Sequence, residues 1–366
     1  MCETYRDPWQ DYKAIFESTK KKFLKKPNYA QALAEYENLA LRFQDEEFEH
    51  YAGLCNIQMA KIHETLGNWS MQYSRLLKAA RYFKQAEHKA DSMCSMLYSE
   101  NLNLMQDCYN KATKLILDHS GVWLAGLHSM EVGHALDGFG KPHLALKYLD
   151  RGSRLLEVEH NSRIAALLKL AECQCKLKYY SDALTTLDEL WTAQMKNVAD
   201  PRFASGKDLL KDCEITTVLL LLKIKSNDIS ARHRFLLSMY SESFFEEFSK
   251  QSMNNGEEKV KGYNSQEEAS SSICKASDED ESISIDNNFT SRSSEFDGAP
   301  WNKYPLKDSC LTAEQFLNFY DFILSLRNGE IFMAKKSFSR LKPFLNNVSL
   351  IIAKDMLSSL IHKGSI

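Results

Sequence analysis

SMEVGHALDGFGKPHLALKYLDRGSRLLEVEHNSRIAALLKLAECQCKLKYYSDALTTLDEL, residues 129–190, reads as two helix pairs of one kind in succession. In the first, Val132, Gly133 and Leu136 stand on one helix, and Gly140-Lys141-Pro142 makes a turn. Ala145, Leu149 and Gly152 stand on the returning helix. The second pair repeats this with Leu170 and Ala171, a break at Lys178-Tyr179-Tyr180, then Ala183, Leu187 and Leu190. Ala145 and Ala183 are 38 residues apart. Small side chains recur at fixed places because antiparallel helices approach closely only where side chains are short.

A displacement of this size is close to the ~34-residue period of tetratricopeptide repeats. An earlier segment has the same form. Tyr51, Leu54, Cys55, Met59 and Ile62 mark one helix, Leu66-Gly67-Asn68-Trp69 a turn, and Tyr73, Leu76, Leu77, Ala80 and Phe83 the return. Measured from the turn, Ala60, Leu76 and Ala79 match Gly133, Leu149 and Gly152. The spacing therefore predicts an all-α, tetratricopeptide-like α-solenoid of antiparallel helix pairs, about fourteen helices in all. Its packing seam is Ala60, Ala79, Gly133, Ala145, Gly152, Ala171 and Ala183.

Outward from this centre the periodicity continues. Asp7–Lys26 reads as a helix, with Trp9, Tyr12, Ile15, Phe16 and Phe23 on one face. Pro27 ends it and Asn28 caps the next helix. Leu97–Leu117 and Val122–Leu136 are further helices across Ser120-Gly121, and Asn197–Gly206 reads as a loop. Asp208–Ile224 is a helix that ends in Val218-Leu219-Leu220-Leu221-Leu222, apolar on more than one face. Such a helix is either wholly buried or docks a partner. Ser230–Phe248 is its neighbour. Residues 7–250 are thus expected to form one repeat domain. Residues 252–303 are polar and acidic and bury too little apolar surface to offset ordering entropy, so a disordered loop is expected there. Ser277, Ser282 and Ser284 lie in its acidic surroundings and are candidate phosphorylation sites. Helices resume over 311–362, opened by Thr312 and turned at Asn328-Gly329 and Pro343.

The residue types point away from chemistry. Net charge is -3, without the basic balance of a nucleic-acid binder. Val218–Leu222, the longest purely aliphatic run, is five residues, against ~20 for a membrane span. The Met1-Cys2-Glu3-Thr4 start carries no apolar signal core, and the nine cysteines are scattered without a C-x-x-C pair. A cytoplasmic protein with free thiols, no metal, no cofactor and no membrane insertion is expected. Gly133, Gly138 and Gly140 lack the strand and the Lys-Ser/Thr of a phosphate loop, and no hydrolase or zincin motif occurs. His119, His128, His134 and His143 straddle several helices. Lys61, His134 and Glu172 occupy the place where a carboxylate-clamping repeat carries Asn, so that mode of peptide capture is not expected. One basic run remains, Lys20-Lys21-Lys22-Phe23-Leu24-Lys25-Lys26. It reads either as a helix end favoured by the dipole or as an anionic docking or nuclear import patch.

Four segments carry a family resemblance. YKAIFESTKKKFLKKPNYAQA (Tyr12–Ala32), LKDCEITTVLLLL (Leu210–Leu222), MYSESFFEEF (Met239–Phe248) and LTAEQF (Leu311–Phe316) resemble, in the same order, the 40-kDa huntingtin-associated protein family. The resemblance is weak from Ala90 to Ser120 and departs in the acidic loop. It implies a helical superhelix and a non-enzymatic companion subunit. The implied partner is huntingtin, a HEAT-repeat protein, held as a heterodimer. It further implies recruitment to early endosomes through a Rab GTPase. On that expectation the partner-binding residues are Lys21, Lys22, Lys25 and Lys26, and Leu219, Leu220 and Leu222 as outward leucines. The alternative is a vesicle-fusion adaptor of the soluble NSF-attachment type, which shares stacked helix pairs. It would bind SNARE bundles and an ATPase.

Overall fold

The computed structural model describes residues 7–20, 27–94, 99–195, 206–224, 230–241 and 309–364. Among them are fourteen α-helices and no strand. Eight form a first compact unit within residues 1–177. They are α1 (Pro8–Thr19), α2 (Tyr29–Asp45), α3 (Glu49–Thr65), α4 (Trp69–Ser92), α5 (Glu100–Asp118), α6 (Val122–Gly138), α7 (Pro142–Leu155) and α8 (His160–Lys176). Six form a second unit within residues 178–366. They are α9 (Tyr180–Met195), α10 (Gly206–Ile224), α11 (Ala231–Met239), α12 (Ala313–Asn328), α13 (Ile331–Leu341) and α14 (Asn347–Gly364). The division at Leu177/Lys178 falls inside the stretch 129–190. The acidic segment 252–303 lies outside the described residues, with Ser277, Ser282 and Ser284.

In the first unit each helix packs on the next in sequence, so α1 to α8 run alternately up and down. Side-chain bonds two helices apart divide them into two layers. Gln58 donates to the Tyr12 hydroxyl, His50 meets Asn101, and Asn110 donates to the Tyr148 hydroxyl, joining α1, α3, α5 and α7. Arg75–Glu37, Arg81–Glu131 and Lys169–Asp137 join α2, α4, α6 and α8 with ion pairs.

The turns share one chemistry. Four helices are followed by a residue of left-handed backbone: α2 by Glu47 (φ 59°), α3 by Gly67 (φ 71°), α5 by Ser120 (φ 62°) and α6 by Gly140 (φ 68°). The next N–H then donates back into the helix, as Phe48 N to Phe43 O (2.7 Å), Asn68 N to His63 O (2.9 Å), Gly121 N to Ile116 O (2.8 Å) and Lys141 N to Leu136 O (2.9 Å). This is the Schellman arrangement, in which glycine relieves the crowding a Cβ suffers at positive φ. Asn28 and Asn68 cap the helices that follow by accepting from Gln31 N and Met71 N. Ser120 is an exposed residue bearing the Cβ penalty in a turn built like that of Gly140. Ser120→Gly is expected to stabilise the protein by ~0.5–1 kcal/mol, the left-handed penalty less glycine's extra unfolded entropy. A urea midpoint that rises with an unchanged m-value checks it.

One boundary and one orientation expected from the sequence are corrected here. The first helix stops at Thr19, and Lys20 is already extended (φ -66°, ψ 136°), whereas the sequence pattern carries that helix to Lys26. Lys21, Lys22, Lys25 and Lys26 lie outside the described residues. The second correction concerns α10, the centre of the second unit, which packs on α9, α11 and α14. Cys213 through Leu221 are buried without a break, and Leu219 and Leu220 have no exposure at all. These leucines do not face outward, because three helices surround the segment that carries them. Leu222 is half-buried. The rest of the unit is α12 against α13, and α13 against α14, with Pro343 in a 3-10 turn between the last two.

Candidate partner interface

Antiparallel stacking puts the turns α1/α2, α3/α4, α5/α6 and α7/α8 along one edge of the first unit. That edge carries large apolar side chains that the core does not take up. Leu66, Trp69 and Met71 are exposed around the α3/α4 turn, Val122 and Trp123 after the α5/α6 turn, and Val158 at the α7/α8 turn. Trp123 is 50% exposed and Val158 98%. The Trp69 ring stacks on His119 with centroids 3.9 Å apart and planes 17° apart, which joins two neighbouring turns into one strip. Lys20, the one described residue of the lysine run, follows α1 at the start of this edge. The opposite edge has Phe48, Tyr51 and Met93, but there Lys89 pairs with Glu47 (2.8 Å) and Glu49 (3.7 Å) among them.

The local sequence explains the strip. Trp69 opens α4 directly after the Gly67-Asn68 turn, and Val122-Trp123 opens α6 directly after Ser120-Gly121. A first-turn side chain projects past the helix end, where no neighbouring helix covers it. The periodicity marks Trp69 only as part of a turn and leaves out Trp123 and Val158. The signal that would have found them is a tryptophan placed one or two residues after a predicted cap.

Elsewhere charged groups satisfy one another. Asp137, with its side chain 5% exposed, accepts from Lys169 (2.7 Å) and Lys176 (2.8 Å), and Glu172 accepts from the same two lysines at 3.0 and 2.9 Å. Burial pushes both carboxyls up, but the lysine hydrogen bonds outweigh it and hold them below their ordinary values. This closed square of charges occupies the clamp position at Glu172. Lys61 and His134, at the equivalent positions, are exposed. Among the histidines, His119 stacks on Trp69 and His128 bonds the Tyr73 hydroxyl. Among the described residues, no three of His, Cys, Asp and Glu are grouped to hold a metal, and the seven cysteines are free. No helix among them is long and apolar enough to cross a membrane.

Among its described residues, the second unit holds one buried acid. Glu214 on α10 is 1% exposed and accepts from the Tyr240 hydroxyl (3.1 Å), the Ser309 hydroxyl (2.6 Å) and the Cys310 N–H (2.7 Å). Arg327 donates to the Tyr240 carbonyl at 2.8 Å. The carboxyl group gathers three donors from outside its own helix. It is a joint between segments, tying Tyr240, Ser309 and Cys310 to α10.

The seam residues are all buried: Ala60, Ala79, Gly133, Ala145, Gly152 and Ala171 in the first unit and Ala183 in the second. Along α6 and α7 they alternate with large partners in one register. Gly133 lies against Leu149, Gly152 against Met130, and Gly126 against Leu156. On α3 and α4, Gly53 lies against Phe83, displaced by the same 73 residues as Ala60 from Gly133.

No family model matches the chain. Comparison with curated proteins finds similarity to the 40-kDa huntingtin-associated protein of Rattus norvegicus, 28% identical over 182 residues, 49% of this chain and 48% of the rat protein. The protein of that name from Mus musculus is 28% identical over 176 residues, 47% and 46% of the two chains. The chain spans about half the length of the curated relatives it matches. The relationship is a distant one.

Proposed function

We propose that this protein is a non-enzymatic companion subunit that binds huntingtin as a heterodimer and stabilises it. The observation that carries the reading is the apolar strip of Leu66, Trp69, Met71, Val122, Trp123 and Val158 on a stacked-helix scaffold. Exposed aromatics in a continuous line mark a surface made to be covered. The names of the rat and mouse relatives supply the partner. An obligate complex of this kind buries more than ~2,000 Å². Through huntingtin the protein would reach early endosomes, with a Rab GTPase as a further partner, and vesicle motility is the process served.

The test is co-expression with huntingtin of the same organism, followed by affinity capture and size exclusion. The wild-type pair is expected to elute together, with a higher melting temperature for huntingtin than when it is alone. Trp69→Ala with Trp123→Asp is expected to weaken binding by a hundredfold or more, about 3 kcal/mol for two central anchors. The same variant should keep its own helicity, since neither side chain belongs to the core. Two stable, separate proteins in the wild-type experiment would end the proposal.

A further inference from the structure

We propose that the outward face of α13 is a docking surface for an anionic phospholipid membrane. The helix is amphipathic in an unusual sense. Its inner row, Ala334, Ser337 and Leu341, is buried and fixes it in the second unit. Its outer half-cylinder carries Phe332, Met333, Lys335, Lys336, Ser339 and Arg340, all exposed, and Lys342 continues it into the 3-10 turn. Phe332 is 77% exposed. Helical spacing sets Lys335 and Lys336 beside it at i+3 and i+4, with Arg340 one turn further.

No acid stands on this face. Glu330 sits at the N-terminal cap, and Glu314 and Asp321 lie on α12. Lys335, Lys336, Arg340 and Lys342 form no ion pair among the described residues, so four cations stand together on one face without a neutralising acid. From Phe332 to Lys342 the face is about 15 Å long at 1.5 Å per residue, several headgroups wide. None of this is needed to hold the fold, since the buried row does that.

The composition selects the occupant. Lysine is depleted from protein–protein interfaces, because ordering a long, strongly hydrated side chain is unfavourable. A lipid surface takes lysine without fixing its rotamers. Each basic side chain close to an anionic leaflet strengthens binding about five-fold, and a protruding aromatic supplies the second signal that reversible anchoring requires. The contact is at the headgroup level and needs no membrane-spanning helix. It also needs no huntingtin, so it stands or falls apart from the preceding proposal.

The experiment is co-sedimentation of the full chain with phosphatidylcholine vesicles with and without phosphatidylserine. Binding is expected only with phosphatidylserine and is expected to fall as salt rises. Lys335→Glu with Lys336→Glu should lower it by at least about 25-fold, and Phe332→Ala by about ten-fold. Lys111→Glu with Lys114→Glu, on the exposed face of α5, should leave it unchanged. Circular dichroism establishes that each variant is folded. Absence of vesicle binding, or binding that the α13 variants do not alter, overturns the proposal. So does a loss confined to an acidic polypeptide such as polyglutamate while vesicle binding is retained.

Discussion

Gly133→Ala is expected to destabilise the first unit by ~2–3 kcal/mol, from a single added methyl group. An ideal Cβ at Gly133 would lie 2.5 Å from Leu149 Cδ2 and 2.7 Å from Leu149 Cγ. Leu149 is itself fully buried and branched at the atom approached, so it has no rotamer to retreat into. The helices α6 and α7 must separate, and the contacts of Gly152 with Met130 and Gly126 with Leu156 loosen together because the three pairs share one register. Gly152→Ala is expected to cost less than ~1 kcal/mol. Its added Cβ meets Met130 Sδ at 2.7 Å, and an unbranched thioether can turn aside. Leu149→Ala alone should cost ~2–5 kcal/mol through the cavity it leaves. Combined with Gly133→Ala it should cost at least ~1 kcal/mol less than the two single changes added, since each relieves the other. Urea unfolding of the four proteins measures the cycle. Strict additivity would show that the two side chains are not in the tight contact described.

Much of this seam was legible from spacing. Gly133, Ala145 and Gly152 recur as Ala171, Ala183 and Leu190, and the caps Asn28, Asn68 and Thr312 stand where helix starts were expected. Gly67, Gly140 and Gly329 mark turns because glycine alone enters left-handed backbone freely. Glu47, Ser120 and Lys178 occupy the same conformation unannounced. Nothing local prefers it there, and the packing of the flanking helices imposes it. Gly53 and Gly126 escaped for a related reason. A single glycine within a helix has no sequence context that says what it touches, and only the facing Phe83 and Leu156 reveal it.

The leucines of α10 show a different limit. A helix apolar on every side satisfies burial and docking equally well as a pattern, and the contacts of α9, α11 and α14 decide for burial. The exposed strip was hidden by the opposite effect. Trp69 and Trp123 look like ordinary core residues by type, and only their place in the first turn leaves them uncovered. The partner surface therefore sits at turns, and the hydrophobic periodicity that reveals the helices does not register it.

Glu214→Ala is expected to destabilise the second unit by ~3–5 kcal/mol, because it leaves the Tyr240 hydroxyl, the Ser309 hydroxyl and the Cys310 N–H without their acceptor in a dry site. Tyr240 lies just before residues 242–308 and Ser309 just after, so one carboxyl ties both described ends of that segment to α10. Glu214→Gln should cost ~1 kcal/mol or less, since the amide oxygen can face Cys310 N–H and both hydroxyls can turn to accept from the amide NH2. The two variants also separate by pH. Burial raises the Glu214 carboxyl above its ordinary value of 4.5, and the three donors and Arg232 only partly offset it. Between that value and the raised native one, the folded protein holds a proton that the unfolded chain has lost. Stability from this group is therefore complete below pH 4.5 and declines as pH rises through the native value. In Glu214→Gln that decline should be absent, so the variant should gain on the wild type as pH rises from 4.5 through the raised native value. Unfolding midpoints across that range decide the matter: parallel profiles would mean that the proton on Glu214 does not contribute to the stability of the joint.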